Sequence, residues 1–298
     1  MARRLLPSLV GLFLDSFAAF PAKPASMSST IAPVAMPPII FGTAWKKEQT
    51  SALVLAALRA GYRGIDTACQ PKHYNEAGVG EAIVSSGLLR DAIYLQTKYT
   101  PVSGQDPARI PYDKTAPLDV QVKQSVAVSL NNLRTDWIDC LVLHSPLATH
   151  RDTMVVWRAM EQALAAGHVR SLGVSNCYDL DTFQRLYDEA KTKPTVLQNR
   201  FYRDSGHDTA LRAFCAAHGV RYQSFWTLTG NPSAVSSDAV RKVAETHACT
   251  PQQVWFAFVG ALGIVPLTGS RSEEHLRQDL DLPSLATAEV RELEALLR

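Results

Sequence analysis

From residue 36 to residue 298 the sequence predicts a single-domain α/β protein, a closed (β/α)8 TIM barrel. Three observations lead there. Eight short apolar runs alternate with segments of helical periodicity. The runs are apolar almost throughout, as parallel strands buried on both faces must be. A chain of 298 residues matches one barrel of about 250 residues with a short extension. The competing architecture is an open doubly wound sheet, which usually carries a G-x-G-x-x-G turn after its first strand. This chain has none there, and Gly78-Val79-Gly80 falls inside a helical pattern.

The elements follow in order. Strand one is expected over 39–43 and a helix over 48–59, with Gly61 as its stop. Strand two is expected over 62–68, with a helix over 75–86. Strand three covers 92–97, and a Pro/Gly-rich loop over 100–117 leads to a helix over 118–133. Strand four covers 138–143, with a helix over 153–166. Strand five covers 169–174, with a helix over 180–190. Strand six covers 195–198, with a helix over 209–218. Strand seven covers 220–225, with helices over 237–247 and 251–262. Strand eight covers 264–267, with helices over 273–280 and 287–297.

Composition narrows the function classes. Hydrophobic residues make up 46% and charged residues 19%, so the bulk of the chain folds. A net charge of +2 without a Lys/Arg stripe excludes a nucleic-acid footprint. That excess lies wholly in residues 1–35, where Arg3, Arg4 and Lys23 face Asp15 alone. Arg3 and Arg4 precede an apolar run over 5–14, followed by small and polar residues. This order reads as an organellar leader, with a cytosolic tail or a secretory signal as alternatives. The run is too short for a membrane span, which needs about 20 residues. The five cysteines, at 69, 140, 177, 215 and 249, lack C-x-x-C spacing. The eight histidines form no H-E-x-x-H pair, so neither a disulfide framework nor a metal site is expected.

Barrel chemistry sits where strands end. Here the strand ends present Asp66, Lys98, His144, Ser175-Asn176, Gln198-Asn199 and Thr268-Gly269-Ser270. Each alone reads as a helix cap, a solvated end or a core histidine. Together, at successive strand ends, they read as one site.

The run Gly61-Tyr62-Arg63-Gly64-Ile65-Asp66-Thr67-Ala68, then Asn75-Glu76 and Val79-Gly80, resembles the second βα unit of the aldo-keto reductases. So do Leu143-His144-Ser145-Pro146 and the run from Gly167-His168-Val169-Arg170 through Ser171-Leu172-Gly173-Val174 to Ser175-Asn176. The resemblance runs in register from residue 36 to 298. It implies hydride transfer between NADP(H) and a carbonyl, served by an Asp, a Tyr, a Lys and a His. Asp66, Lys98 and His144 match directly. A tyrosine with a pKa of about 10 becomes a better acid beside an ammonium, the part implied for Lys98. Asp66 would fix Lys98, and His144 would orient the carbonyl oxygen.

The tyrosine departs from the family pattern, which places it five residues after the Asp and two before the Asn. Those positions hold Pro71 and His73. The segment Cys69-Gln70-Pro71-Lys72-His73-Tyr74 is two residues longer than usual, and Tyr74 directly precedes Asn75. Tyr74 is the expected acid and His73 its alternative. Cys69 is expected to be buried.

The resemblance also assigns Ser175, Asn176 and Gln198 to the nicotinamide carboxamide, with helix capping as the structural alternative. Phe225 replaces a stacking tyrosine, and Trp226 and Leu228 fall near the pyrophosphate turn. Gly42 and Thr43 join the cofactor set. At the adenosine end stand Gly269, Ser270, Arg271, His275 and Asp279. Ser270 and Arg271 suit a 2′-phosphate, so NADP(H) is expected over NAD(H). Trp45 matches an aromatic wall of the substrate pocket, with Phe201, Tyr202 and the 100–117 loop as further candidates. The sequence ends right after the final helix, which predicts an open, less selective pocket. The expectation is a monomeric NADPH-dependent aldehyde or ketone reductase whose only partner is a small carbonyl compound. The alternative is an NADP(H)-binding barrel that acts as a redox-sensing or regulatory subunit.

Overall fold

Eight parallel strands pair in chain order and close on themselves in the computed structural model, which describes residues 35–297. The closing pair is β1 with β8, through Ile40↔Leu267 and Phe41↔Thr268, which excludes the open sheet. The leader expected over residues 1–35 lies, except for its last residue, outside the described residues.

The first half of the barrel comprises β1 (Ile40–Gly42), α1 (Thr50–Ala60), β2 (Gly64–Asp66) and α2 (Glu76–Ser86). It continues with β3 (Tyr94–Tyr99), α3 (Leu118–Leu133), β4 (Cys140–Leu143) and α4 (His150–Ala165). The second half comprises β5 (Leu172–Ser175), α5 (Leu180–Glu189), β6 (Val196–Arg200), α6 (Thr209–Ala217) and β7 (Arg221–Phe225). It closes with α7 (Pro232–Val235), α8 (Asp238–Thr246), α9 (Pro251–Ala261), β8 (Val265–Thr268), α10 (Glu273–Gln278) and α11 (Thr287–Glu294).

The differences from expectation have local causes. β3 runs on through Lys98 and Tyr99 because both pair with β4, at Val142 and Leu143. β5 starts late because Val169 makes only an isolated bridge to Ile138 before the ladder resumes at Leu172. α4 starts early because Thr149 caps it, accepting from the Asp152 N–H. The short α7 has no counterpart in the sequence expectation; Pro232 opens it after Asn231.

Alternation along the strands positions the site. Side chains two apart share a face. An apolar plug inside the barrel contains Ile40, Tyr94, Cys140, Val142, Val196 and Val265. The next same-face residues are Gln96, His144, Gln198 and Leu267, and the next on β3 and β6 are Lys98 and Arg200. The chain thus passes from an apolar floor to a polar layer to the C-terminal mouth. The outward-facing residues, such as Phe41, Leu95, Leu141 and Leu197, join the larger core shared with the helices.

One glycine of the sequence motif has a steric reason. A Cβ on Gly80 would lie 2.3 Å from the Asn132 carbonyl oxygen, where α2 crosses the end of α3. Gly80→Ala is therefore expected to cost about 1–3 kcal/mol through overpacking. Chemical denaturation measures it, and an unchanged midpoint would show that the two helices do not meet this closely.

Candidate active site

The C-terminal mouth holds a cavity of about 950 Å³. Gly42, Trp45, Asp66, Tyr74, His144, Ser175, Asn176, Gln198, Phe225, Trp226, Leu228, Gly269, Ser270, His275 and Asp279 line it. Thr43, Lys98 and Arg271 do not. The hydroxyl and N–H of Thr43 both donate to the Asp66 carbonyl, at 2.9 and 3.0 Å, so it braces β2 from behind. Arg271 extends along the surface and donates through Nη2 to the Trp45 carbonyl at 2.9 Å.

Lys98 lies beneath the lining and is 1% exposed. Its Nζ is 2.6 Å from both Asp66 carboxylate oxygens and 2.9 Å from the Thr67 carbonyl. Burial pulls the Lys98 pKa down, and Asp66 opposes that pull. Asp66 Oδ1 also accepts from Gln96 Nε2 at 2.6 Å and Gln198 Nε2 at 3.0 Å. Both amides also donate to Gln223 Oε1, each at 2.8 Å. Gln198, assigned by resemblance to a carboxamide, here serves the Asp66 carboxylate. Gln96 and Gln223 are additions to the site that the sequence reading lacks. Their signal in the sequence is a glutamine on the inward-facing register of a strand.

The longer segment after β2 folds as a compact turn. Gln70 N–H donates to the Ala68 carbonyl at 2.8 Å, and the N–H groups of His73 and Tyr74 donate to the Gln70 carbonyl at 3.1 and 3.0 Å. The Gln70 side chain donates to the Gly104 carbonyl at 2.7 Å and ties the turn to the next loop. Asn75 then caps α2, accepting from the Gly78 N–H at 3.0 Å. The turn puts the Tyr74 ring 5.2 Å from Lys98 Nζ and edge-on to His144, centroids 6.0 Å apart. His73 leans the other way and packs on Trp45, with ring centroids 3.7 Å apart.

The electrostatics of Tyr74 run opposite to the sequence expectation. Burial, and then the Asp66 carboxylate, hold its phenol well above the usual tyrosine range. The Lys98 charge is already matched by Asp66, so it does not draw the phenol down. Tyr74 is therefore protonated throughout the neutral range, the form a proton donor needs. His144 is pushed down to about 3 by burial, by Lys98 and by His73. Thr100 Oγ1 lies 2.6 Å from its Nδ1, and Asn176 Nδ2 donates to its carbonyl at 2.9 Å.

The His144 shift predicts a pH effect on stability. The unfolded chain takes up a proton at an ordinary histidine pKa, about 6.5, whereas the folded protein takes it up only near 3. Between those values the unfolded state binds more protons, so His144 lowers stability as the pH falls below about 6.5. Urea unfolding from pH 7 to pH 4 should show a shallower loss in His144→Asn than in the parent. Identical slopes would contradict a buried neutral imidazole.

Lys46 is a lining residue missed in the sequence. It is 5% exposed, and its Nζ donates to the Gly269 carbonyl. A Cβ on residue 269 would lie 3.3 Å from that Nζ, so glycine there leaves room for the ammonium. Burial, and then Arg271, lower the Lys46 pKa to about 8. Among the described residues, neither Lys46 nor Arg271 has a carboxylate within ion-pair distance. Two adjacent cations bonded only to carbonyls make a place for an anion. Beside them, Asp279 Oδ2 accepts from Thr268 Oγ1 at 2.6 Å, and Ser270 Oγ accepts from the Ser272 N–H at 3.1 Å. Among the described residues no three His, Cys, Asp or Glu side chains gather as metal ligands. No described helix is long and apolar enough to cross a membrane.

A family model described as the aldo/keto reductase family matches residues 38–298. The 2,5-diketo-D-gluconic acid reductase B of a Corynebacterium species is 30% identical over 231 residues, covering 78% of this chain and 77% of that protein. A crystal structure of an aldo/keto reductase from Brucella melitensis superposes with a TM-score of 0.75 at 25% identity, covering 88% of this chain and 95% of that one. A variant of Gox0644 in complex with NADPH gives a TM-score of 0.73 at 27% identity, covering 88% and 89%.

Proposed function

This chain belongs to the aldo/keto reductase family, and from that premise we propose that it reduces an aldehyde or ketone to an alcohol with NADPH. The observation that carries the proposal is Tyr74, held in one cavity wall over the buried Lys98–Asp66 pair and edge-on to His144.

The cavity suits a dinucleotide phosphate. Amide and hydroxyl groups at the ends of β5 and β6 face one part of it, and the Lys46–Arg271 cations stand near another. Ser175, Asn176 and Gln198 would hold the carboxamide, and Phe225 would stack on the ring. Ser270, Arg271 and Lys46 would hold the phosphate that separates NADPH from NADH. Gly269, His275 and Asp279 would flank the adenosine, with Gly42, Trp226 and Leu228 along the length between.

NADPH, when bound, supplies the hydride. Tyr74 then delivers a proton from its hydroxyl to the carbonyl oxygen. His144 is neutral, and with the Thr100 hydroxyl donating to Nδ1 its Nε2–H donates to the same oxygen and orients it. Asp66 and the Gln96–Gln198–Gln223 layer keep Lys98 in place beneath the Tyr74 ring. Trp45, exposed at the rim and packed on His73, forms a wall for the substrate. The relative named for 2,5-diketo-D-gluconic acid supports a small polar carbonyl compound as substrate. Purified protein, NADPH and a panel of reactive aldehydes, quinones and aromatic ketones test the proposal, read as loss of NADPH absorbance. No turnover on any of them, with NADPH bound, would favour the sensor alternative.

Lys46 and Arg271 give a separate prediction. Arg271→Ala and Lys46→Met should each weaken NADPH about tenfold or more, the scale of one lost charged hydrogen bond, and change NADH little. Lys46 loses its charge as the pH rises through about 8. NADPH affinity should fall above that pH in the parent and lose that step in Lys46→Met. An unchanged NADPH/NADH preference in both variants would remove this phosphate assignment.

A further inference from the structure

We propose that Arg200 is an oxyanion-binding residue of the cavity, and that Trp226 is displayed to hold its guanidinium plane. Arg200 ends β6 on the inward-facing register, two residues beyond Gln198, and lines the cavity. Its guanidinium carbon lies 3.9 Å from the centroid of the Trp226 ring, 5.1 Å from Tyr202 and 5.9 Å from Phe225. Among the described residues no carboxylate lies within ion-pair distance of it. Its Nε is buried and without a hydrogen-bond partner. Rings that occupy the faces of a guanidinium leave its edge, and the edge carries the N–H donors. A held plane with a free edge takes the two oxygens of a carboxylate or a phosphate side by side.

Trp226 supplies an independent observation. It is a bulky residue at φ 58°, in the left-handed region, and is 52% exposed. That conformation costs on the order of 1–2 kcal/mol and concentrates at functional sites. The loop is built to keep it. Gly230 N–H donates to the Trp226 carbonyl at 2.7 Å, and a Cβ on Gly230 would lie 2.8 Å from the same oxygen. A short chain of bonds ties Arg200 to the reacting groups. Its backbone N–H donates to Tyr178 Oη, the Tyr178 hydroxyl donates to Asn176 Oδ1, and Asn176 Nδ2 donates to the His144 carbonyl.

Two oxyanions of this chemistry reach such a cavity: the diphosphate of the dinucleotide, and a carboxylate carried by the carbonyl substrate. Only the second rests on the reductase reading. The test uses the parent, Arg200→Met and Arg200→Lys, with circular dichroism as the check of fold. NADPH is titrated by tryptophan fluorescence. NADP+-loaded protein, which has no hydride to give, is titrated with glyoxylate and with neutral glycolaldehyde. Arg200→Met is expected to weaken one anion by about 10- to 100-fold, and Arg200→Lys to recover part of that loss. Weaker NADPH identifies the diphosphate. Weaker glyoxylate with unchanged glycolaldehyde identifies a substrate carboxylate and makes this an acid-preferring reductase. If the Met variant fails to fold, the Lys variant is read alone, and a several-fold weakening of either anion is expected. A folded variant that binds both anions as the parent does overturns the proposal. Failure of the reductase reading appears separately, as absence of NADPH oxidation with every carbonyl.

Discussion

Tyr74→Phe should abolish carbonyl reduction, lowering turnover by about 10²- to 10⁴-fold, the usual contribution of a positioned proton donor, while NADPH still binds. The substitution removes one oxygen and keeps the ring that covers Lys98 and meets His144 edge-on. Fold and cofactor affinity are therefore expected to hold. The paired control is His73→Ala. His73 packs on Trp45 outside the cavity lining, so its loss should disturb the rim and spare the proton transfer. Steady-state rates with one aldehyde, beside NADPH titrations of both variants, make the comparison. An active Tyr74→Phe and an inactive His73→Ala would reverse the two roles.

The buried ion pair carries the second large effect. Lys98→Met leaves the Asp66 carboxylate buried without its cation, and removing one partner of such a pair costs about 3–5 kcal/mol. The loss should appear in chemical denaturation together with loss of reduction. The double variant Asp66→Asn/Lys98→Met tests the cause. The amide oxygen that Asp66→Asn introduces can still accept from Gln96 and Gln198, and no charge is stranded beside them. Stability should largely return, because neutral replacements of buried pairs are often tolerated. Activity should stay lost. If stability does not return, the cost lies in packing rather than in the stranded charge.

The barrel was legible because parallel strands buried on both faces leave a mark that outlasts errors in their ends. Ile138 and Val169 are as apolar as any strand residue yet make only a bridge. The places of Asp66 and His144 at strand ends put both on this cavity, and the family resemblance singled out Tyr74 beside Asn75. Lys46 was not. In Trp45-Lys46-Lys47-Glu48 it reads as one more solvated charge. Its burial depends on a carbonyl of Gly269, far along the chain, and on the absence of a side chain there. Arg271 and Thr43 sit beside the cavity rather than in its lining, because each serves a carbonyl on a neighbouring loop or strand. The direction of the Tyr74 shift was equally hidden. The resemblance already pairs Asp66 with Lys98, but only the fold shows how deeply that pair and the Tyr74 phenol are buried, and burial sets the direction. Arg200 illustrates the same limit: only the fold shows three aromatic rings around it and, among the described residues, no carboxylate within ion-pair distance.

The chemistry proposed for this cavity moves hydride from NADPH to a carbonyl carbon and closes with a proton from Tyr74. The most direct test uses NADPH deuterated at the transferring position, an aldehyde turned over by the parent protein, and mass spectrometry of the product. One deuterium on the carbinol carbon is expected for each NADPH oxidised, and no labelled alcohol from Tyr74→Phe with its cofactor bound. NADPH that binds tightly while no labelled alcohol forms from any carbonyl would contradict it.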